Sequence, residues 1–275
     1  MVKLSAFVCA HNEEARLREC LVRLRFADEI VVLLDRCTDG SERIARAHAD
    51  KVLTGAFLLE GPRRTAALEA CSGDWILEVD ADEDVTQELA AEIRAFIETD
   101  TDTAWRRIPV ENLVQGRLIR HGWGGTFGVD AVQRLYRRGV KSWRRGRVHP
   151  PVQLVGRGGP PLRHALRHWV DTDVSDMIAR LDRYTRLRAQ DLAETGGDIG
   201  LWSNAFRGVR RFWKSYVSRR GYREGAWGVL IATMAGLYPF LSAVRARIET
   251  GPYPASAEDE EAARVLEVAP PRMSA

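Results

Sequence analysis

From residue 3 to residue 97, short apolar runs alternate with amphipathic segments, and that alternation limits the possible folds more than any other feature. Residues 3–10 read as a buried strand. Asn12 follows as a helix N-cap, with Glu13 and Glu14 in the first turn, where carboxylates suit the helix dipole. Leu17, Cys20, Leu21 and Leu24 then recur at helical spacing. Residues 29–34 read as a second buried strand ending at Asp35, and Asp39 with Glu42 predicts a capping box for a helix through Ala49. Val52 and Leu53 mark a third strand, Pro62 opens a helix through Cys71, and residues 75–79 form a fourth strand. Leu89, Ile93, Phe96 and Ile97 mark the helix after it. Such alternation predicts parallel strands with right-handed crossovers: an open α/β sheet whose ligand sits at the carboxyl ends of the strands.

That rule selects residues without further knowledge. Past the first strand stand His11, Asn12 and Glu13, past the second Asp35, and past the fourth Asp80, Asp82, Glu83 and Asp84. All are expected on one rim. Four carboxylates within five positions repel one another, and a divalent cation relieves that repulsion. Hard oxygen ligands favour Mg2+ or Mn2+. The competing reading is that Asp82 and Asp84 only cap the next helix.

At 275 residues the chain has room for one large core, or a catalytic domain with a smaller appendage. The formal net charge of +3 conceals arginines crowded into the second half, which suit phosphate groups or a membrane surface unless they form a solvated face. No nucleic-acid partner is expected. Cys9, Cys20, Cys37 and Cys71 form no Cys-x-x-Cys pair and read as reduced, cytosolic residues, and the N-terminus runs straight into a strand with no leader-like segment. Residues 226–244 carry no charge, a length that suits an interfacial helix, a buried hairpin or, less well given Gly228, Gly236 and Pro239, a membrane span. Asp173 is expected to cap a helix carrying Met177, Ile178, Leu181, Tyr184 and Leu187, with two more helices over about 199–249. The division expected is a catalytic domain over 1–165, a helical region over 166–250 that is a candidate for membrane contact, and a mobile tail over 251–275, rich in proline and acidic residues.

Three segments in order, Ala10-His11-Asn12-Glu13-Glu14, then residues 31–41 around Asp35, then residues 73–83 ending in Asp80-Ala81-Asp82-Glu83, resemble family 2 glycosyltransferases of the GT-A fold. Further stretches at 120–125, 134–139, 147–149, 181–184 and 218–225 resemble the branch that builds bacterial lipopolysaccharide cores. The resemblance implies an open mixed sheet with helices on both faces, a nucleotide-diphosphate sugar donor, favoured as a UDP-sugar, and a Mg2+ or Mn2+ ion. It implies donor contacts at His11, Glu13, Asp35, Arg64, Asp80, Ala81 and Asp82. Asp35 is expected on the base, Asp80 on the ribose or a metal-bound water, Asp82 on the metal and Arg64 on the diphosphate. A glycolipid or oligosaccharide acceptor is implied, with the enzyme cytoplasmic or peripheral on the inner membrane. An inverting transferase needs a base for the acceptor hydroxyl. Where the branch has a His-Glu pair this chain has His149-Pro150, so Asp130 is the substitute base, and His149 is a candidate metal ligand or diphosphate contact. Two rival readings are a phosphatase, which the Asp at position 84 and the late place of the motif disfavour, and a non-catalytic membrane-surface binding protein.

Overall fold

The computed structural model describes residues 2–99, 102–124, 129–144, 147 and 150–249. His149 and the expected tail at 251–275 therefore lie outside the described residues.

The N-terminal alternation folds as expected. Strands β1 (Leu4–Ala10), β2 (Glu29–Asp35), β3 (Lys51–Gly55) and β4 (Trp75–Asp80) pair in parallel in the order β3-β2-β1-β4. Every residue of β1 and β2 is buried, as strands covered by helices on both faces require. Helices α1 (Glu14–Arg23), α2 (Ser41–His48), α3 (Glu60–Ala70) and α4 (Gln87–Thr99) supply the cover. Leu17, Cys20 and Leu21 of α1 and Leu89, Ile93 and Ile97 of α4 join one core beneath the sheet, while Ala67 of α3 packs with Phe7, Val31 and Ile76 on the other face.

Two local expectations fail for the same reason. Asn12 does not cap α1; it adopts a left-handed backbone (φ 55°), and its Oδ1 accepts the Thr38 N–H at 2.8 Å. Asp39 forms no capping box, because its two oxygens accept the Ser41 N–H and the Glu14 N–H, at 3.0 and 2.9 Å. Both side chains tie the loop after β1 to the loop after β2. The local cap signal was answered by a non-local partner.

Beyond β4 the sheet turns mixed. The β5 strand (Glu83–Val85), β6 (Trp105–Val114), β7 (Arg117–Ile119), β8 (Ala131–Arg137) and β11 (Leu166–Asp171) extend it as β4-β8-β6-β11-β5, with β7 hairpinned to β6. Two pairings, β4–β8 and β6–β8, are antiparallel, β6–β11 is parallel and β5–β11 antiparallel. Gln115 and Gly116, with φ of 52° and 74°, make the two-residue turn that a tight hairpin needs. The β9 strand (Lys141–Trp143) and β10 (Val152–Leu154) form a separate ribbon. Since β11 belongs to the large sheet, the sheet runs to Asp171, past the boundary at 165 read from sequence.

Three helices complete the described residues: α5 (Val174–Thr195), α6 (Leu201–Trp213) and α7 (Ala226–Ile248), with a π-helical turn at Lys214–Ser218 and a 3-10 turn at Gly221–Glu224. Asp173 caps α5 as expected, accepting the Asp176 N–H at 2.8 Å. The uncharged run is α7. Ile231, Ala232, Met234, Ala235 and Tyr238 are buried, and half of its most apolar window is covered by protein. A Cβ at Gly208 of α6 would lie 2.5 Å from the Gly236 carbonyl oxygen, so glycine is what lets α6 and α7 approach this closely.

Candidate active site

With strand order β3-β2-β1-β4, the chain leaves β1 in one direction and returns from β3 on its other side. The switch point, where a crevice must open, is therefore between the carboxyl ends of β1 and β4. His11 and Glu13 stand at one lip and Asp80, Ala81 and Asp82 at the other. His11 Nδ1 lies 2.6 Å from the Asp35 carbonyl oxygen, which links the ends of β1 and β2. Burial pushes the Glu13 carboxyl up to about 7, with the charges of Asp82 and Asp80 adding to it. Glu13, Asp80 and Asp82 thus meet across the crevice, and a bound cation would relieve their mutual repulsion.

Asp80 and Asp82 have different environments. Asp80 pairs with Arg134 and, at 3.1 Å, with Arg64. Burial pushes its carboxyl up, but the two guanidinium groups outweigh that and hold it well below the usual carboxylate range. Below it Glu78, 2% exposed, pairs with Arg64 and Lys141 and accepts from the Tyr136 hydroxyl at 3.4 Å. Burial brings the Lys141 ammonium down to about 8. Arg64 is buried, with its Nε on Glu60 at 2.7 Å and its other nitrogens on Glu78 and Asp80. The expected diphosphate contact is thus replaced in this structure by a post beneath Asp80. Glu83 accepts the Asp80 N–H at 2.9 Å and meets Arg134 at 3.3 Å; burial pushes its carboxyl up to about 7.

Ala81 is 5% exposed in the turn between β4 and β5, and Asp82 follows it on the open side. Asp82 faces His168 Nε2 at 3.4 Å. His168 sits on β11, in register with Glu83 of β5, and its Nδ1 lies 3.1 Å from Asn112 Oδ1. The Asn112 amide nitrogen donates to the Val129 carbonyl at 3.1 Å, so the amide oxygen faces the ring. That fixes Nδ1 as a donor to Asn112 and turns Nε2 toward Asp82, which accepts from Nε2–H when the ring is protonated; in the neutral ring the lone pair sits on Nε2. Burial lowers the His168 pKa, but Asp82, Glu83 and Asp80 outweigh it and hold it above its ordinary value. The capping alternative for Asp82 and Asp84 does not hold. Thr86 Oγ1 accepts the Leu89 N–H at 3.2 Å in the first turn of α4, and Asp84 accepts from the Trp169 indole at 3.1 Å.

The line from Asp82 through His168 and Asn112 ends beside Asp130, whose carbonyl accepts the Val110 N–H at 2.9 Å. Asp130 is exposed and lines a cavity of about 210 Å³ together with Val110, Glu111, Leu118, Ile119, Arg120 and Trp123. The far wall is pinned by the C-terminal helices. Glu224 Oε1 accepts the N–H groups of Arg120 and His121, both at 3.0 Å, and Ser215 Oγ donates to the Gly122 carbonyl at 2.6 Å. Asp35, 1% exposed, accepts the Phe57 N–H at 3.0 Å and pairs with Arg36 and Arg63 at 3.1 and 3.4 Å.

The expected rim residues His11, Glu13, Asp35, Asp80 and Asp82 share the carboxyl edge, while Arg64 lies beneath it. The sequence reading missed His168 and Asn112. Their only local signal is a histidine and an amide within otherwise strand-like runs, 56 residues apart.

A mixed open sheet flanked by helices, with its polar rim at the β1/β4 switch point and a helical C-terminal region, is a GT-A fold. Residues 5–149 match Glycosyl transferase family 2, more than half of the chain, and the chain belongs to that family. It is 28% identical to the lipopolysaccharide core biosynthesis glycosyltransferase LpsC of Rhizobium meliloti (strain 1021), over 88% of this chain and 91% of that protein. It is 24% identical to an uncharacterized glycosyltransferase of Rickettsia felis, over 90% of each. Among solved structures, S. aureus TarS covers 70% of this chain and 43% of its own at 16% identity, with a TM-score of 0.42. Glucosyl-3-phosphoglycerate synthase from Mycobacterium tuberculosis, in complex with Mn2+, UDP and glucosyl-3-phosphoglycerate, covers 42% of this chain and 45% of its own at 22% identity, with a TM-score of 0.34. The chain spans under half the length of both solved chains.

Proposed function

We propose that this glycosyltransferase moves a sugar, a hexose or heptose, from a nucleotide-diphosphate sugar to an envelope glycan acceptor such as lipopolysaccharide core, with inversion, using a UDP-sugar in preference to others. The observation that carries the reading is Asp82 beside His168 Nε2 at 3.4 Å, at the mouth of a crevice where Glu13, Asp80 and Asp82 come together. The likeness to LpsC supports the acceptor class.

Asp82 and His168 fit a divalent cation, one by a carboxylate oxygen and the other by an imidazole nitrogen whose tautomer Asn112 sets. Among the described residues no three His, Cys, Asp or Glu side chains are grouped to hold an ion. A cation held there would need further ligands from the donor or solvent. A Mg2+ or Mn2+ ion bound there supplies Lewis-acid stabilisation of the leaving diphosphate. Asp80, kept ionised by Arg64 and Arg134, accepts hydrogen bonds from the ribose hydroxyls. Asp35 stands at the end of β2 for the base, a contact that requires Arg36 or Arg63 to turn aside. Asp130 removes the proton of the acceptor hydroxyl in the cavity beneath Arg120. The expected place of work is the cytoplasmic face of the inner membrane.

Incubation with a panel of nucleotide sugars and Mn2+ tests this. Slow release of a nucleoside diphosphate, abolished by Asp82→Asn, is the expected result. Phosphate release from simple monoesters, or no release from any donor, would overturn it.

A further inference from the structure

The C-terminal region leaves a surface that the transferase chemistry does not use. Asn204 and Gly208 turn the inner face of α6 against its neighbours. On the outer face Trp202, Phe206, Val209 and Trp213 follow one another at helical spacing and are 89%, 71%, 66% and 62% exposed. Val217 continues the stripe onto the π-helical turn. Single exposed apolar side chains are ordinary, but a continuous stripe holding two tryptophans and a phenylalanine marks an interaction surface.

Charge identifies the partner. Residues 199–223 contain seven arginines and lysines and no aspartate or glutamate. Arg207 is paired with Asp198 at 3.2 Å and Arg211 lies over the Tyr238 ring at 5.4 Å. Arg210, Lys214 and Arg220 are exposed, and their side chains have no partner among the described residues. A second copy of this chain is a poor occupant, since a symmetric contact would set these cations against their own equivalents. A bilayer with anionic headgroups accepts both features: aromatic bodies enter the interface and the cations meet phosphates.

We propose that the outer face of α6, continued by the π-helical turn, seats the enzyme on an anionic bilayer. The inference deepens the reading of a glycolipid acceptor and rests on it for the choice of lipid over soluble glycan. It assigns membrane contact to α6 rather than to the longer apolar α7, which is half covered by protein. It also sets the lipid surface on the segment that braces the acceptor side. Ser215 of the π-helical turn and Glu224 of the 3-10 turn hold the 119–122 loop that walls the Asp130 cavity.

Flotation with vesicles of phosphatidylglycerol and phosphatidylcholine tests it at low salt, with pure phosphatidylcholine as the reference. Wild type floats with the anionic vesicles. The triple variant Trp202→Ser, Phe206→Ser, Trp213→Ser and the triple variant Arg210→Glu, Lys214→Glu, Arg220→Glu each bind at least about tenfold more weakly. Unchanged binding by both variants, or failure of wild type to float, overturns the proposal. Concentration-dependent dimerisation that the serine variant abolishes, without vesicle binding, also overturns it and gives the face to self-association. Donor hydrolysis is measured in parallel without vesicles and stays unchanged in both variants. Vesicle binding with no hydrolysis in any of the proteins supports the docking face while counting against the transferase reading.

Discussion

The carboxyl rim of the sheet and the outer face of α6 are both densely charged, yet they treat charge in opposite ways. Beneath the rim the ionic groups are paired and largely buried: Glu78 with Arg64 and Lys141, Asp80 with Arg64 and Arg134, Glu83 with Arg134. Removing charges from water is costly, and such a network gains by fixing geometry more than by adding stability. On α6 and the turns that follow it, Arg210, Lys214 and Arg220 remain in water beside exposed aromatic rings. They fix nothing within the fold. The rim reads as a device for holding a few oxygens in place, and α6 as a surface for meeting something outside the chain.

The two regions should answer substitution in different ways. The largest effect is expected at Asp82. Asp82→Asn keeps the volume and removes the charge, so donor turnover should fall by about 10³-fold or more while the melting temperature barely moves. Equal turnover at saturating Mn2+ would remove Asp82 from the site.

Next is Glu78, which touches no substrate in this account. Glu78→Ala leaves Lys141 buried without its anion and takes one of three carboxylates from Arg64, and urea unfolding should show a loss of roughly 3–5 kcal/mol. A loss below about 1 kcal/mol would show that the rim network does not hold the fold.

A smaller loss is expected on the opposite edge of the same sheet. Burial pushes the Glu29 carboxyl up, but bonds from Lys51, Ser5 and Ser72 outweigh it and hold the group down at about 2. A carboxylate depressed on folding stabilises the protein above its unfolded value. That contribution is lost as pH falls from about 4.5 through about 2. Glu29→Gln should therefore cost about 2–3 kcal/mol at neutral pH and progressively less in acid. Unfolding curves for the two proteins that stay equally far apart down to pH 2 would contradict the assignment.

Asp35→Ala should raise the UDP dissociation constant by about tenfold, the worth of one charge-assisted hydrogen bond. Equal affinity by calorimetry would remove Asp35 from the base site. The smallest effect is on α6. Trp202→Ser should change stability by no more than about 0.5 kcal/mol, since the ring is 89% exposed, and a larger loss would mean that the ring packs within the fold.

The sequence was legible wherever structure follows from local period. β1 to β4, the helices between them and the buried positions of α1 and α4 follow from spacing alone, and with them the rim residues at the strand ends. It was silent where pairing is non-local. The place of β8 between β4 and β6, and of β11 beside β5, has no counterpart in any window of neighbouring residues. His168 and Asn112 are part of the site only because β6 and β11 lie side by side. Arg64 is legible as a diphosphate contact in a turn but not as a buried post, since nothing local reveals that Glu78 and Asp80 approach it from β4. Asn12 and Asp39 carried ordinary cap signals that tertiary contacts redirected.

The pairing of Asp82 with His168 is the central claim, and calorimetry of UDP binding with and without Mn2+ tests it most directly. Wild type, Asp82→Asn, His168→Ala and the double variant form a closed cycle. Mn2+ should tighten UDP binding in wild type, each single variant should lose most of that gain, and the double variant should lose little more than either single. Full Mn2+ dependence in His168→Ala, or losses that simply add in the double variant, would contradict a shared site at the β1/β4 crevice.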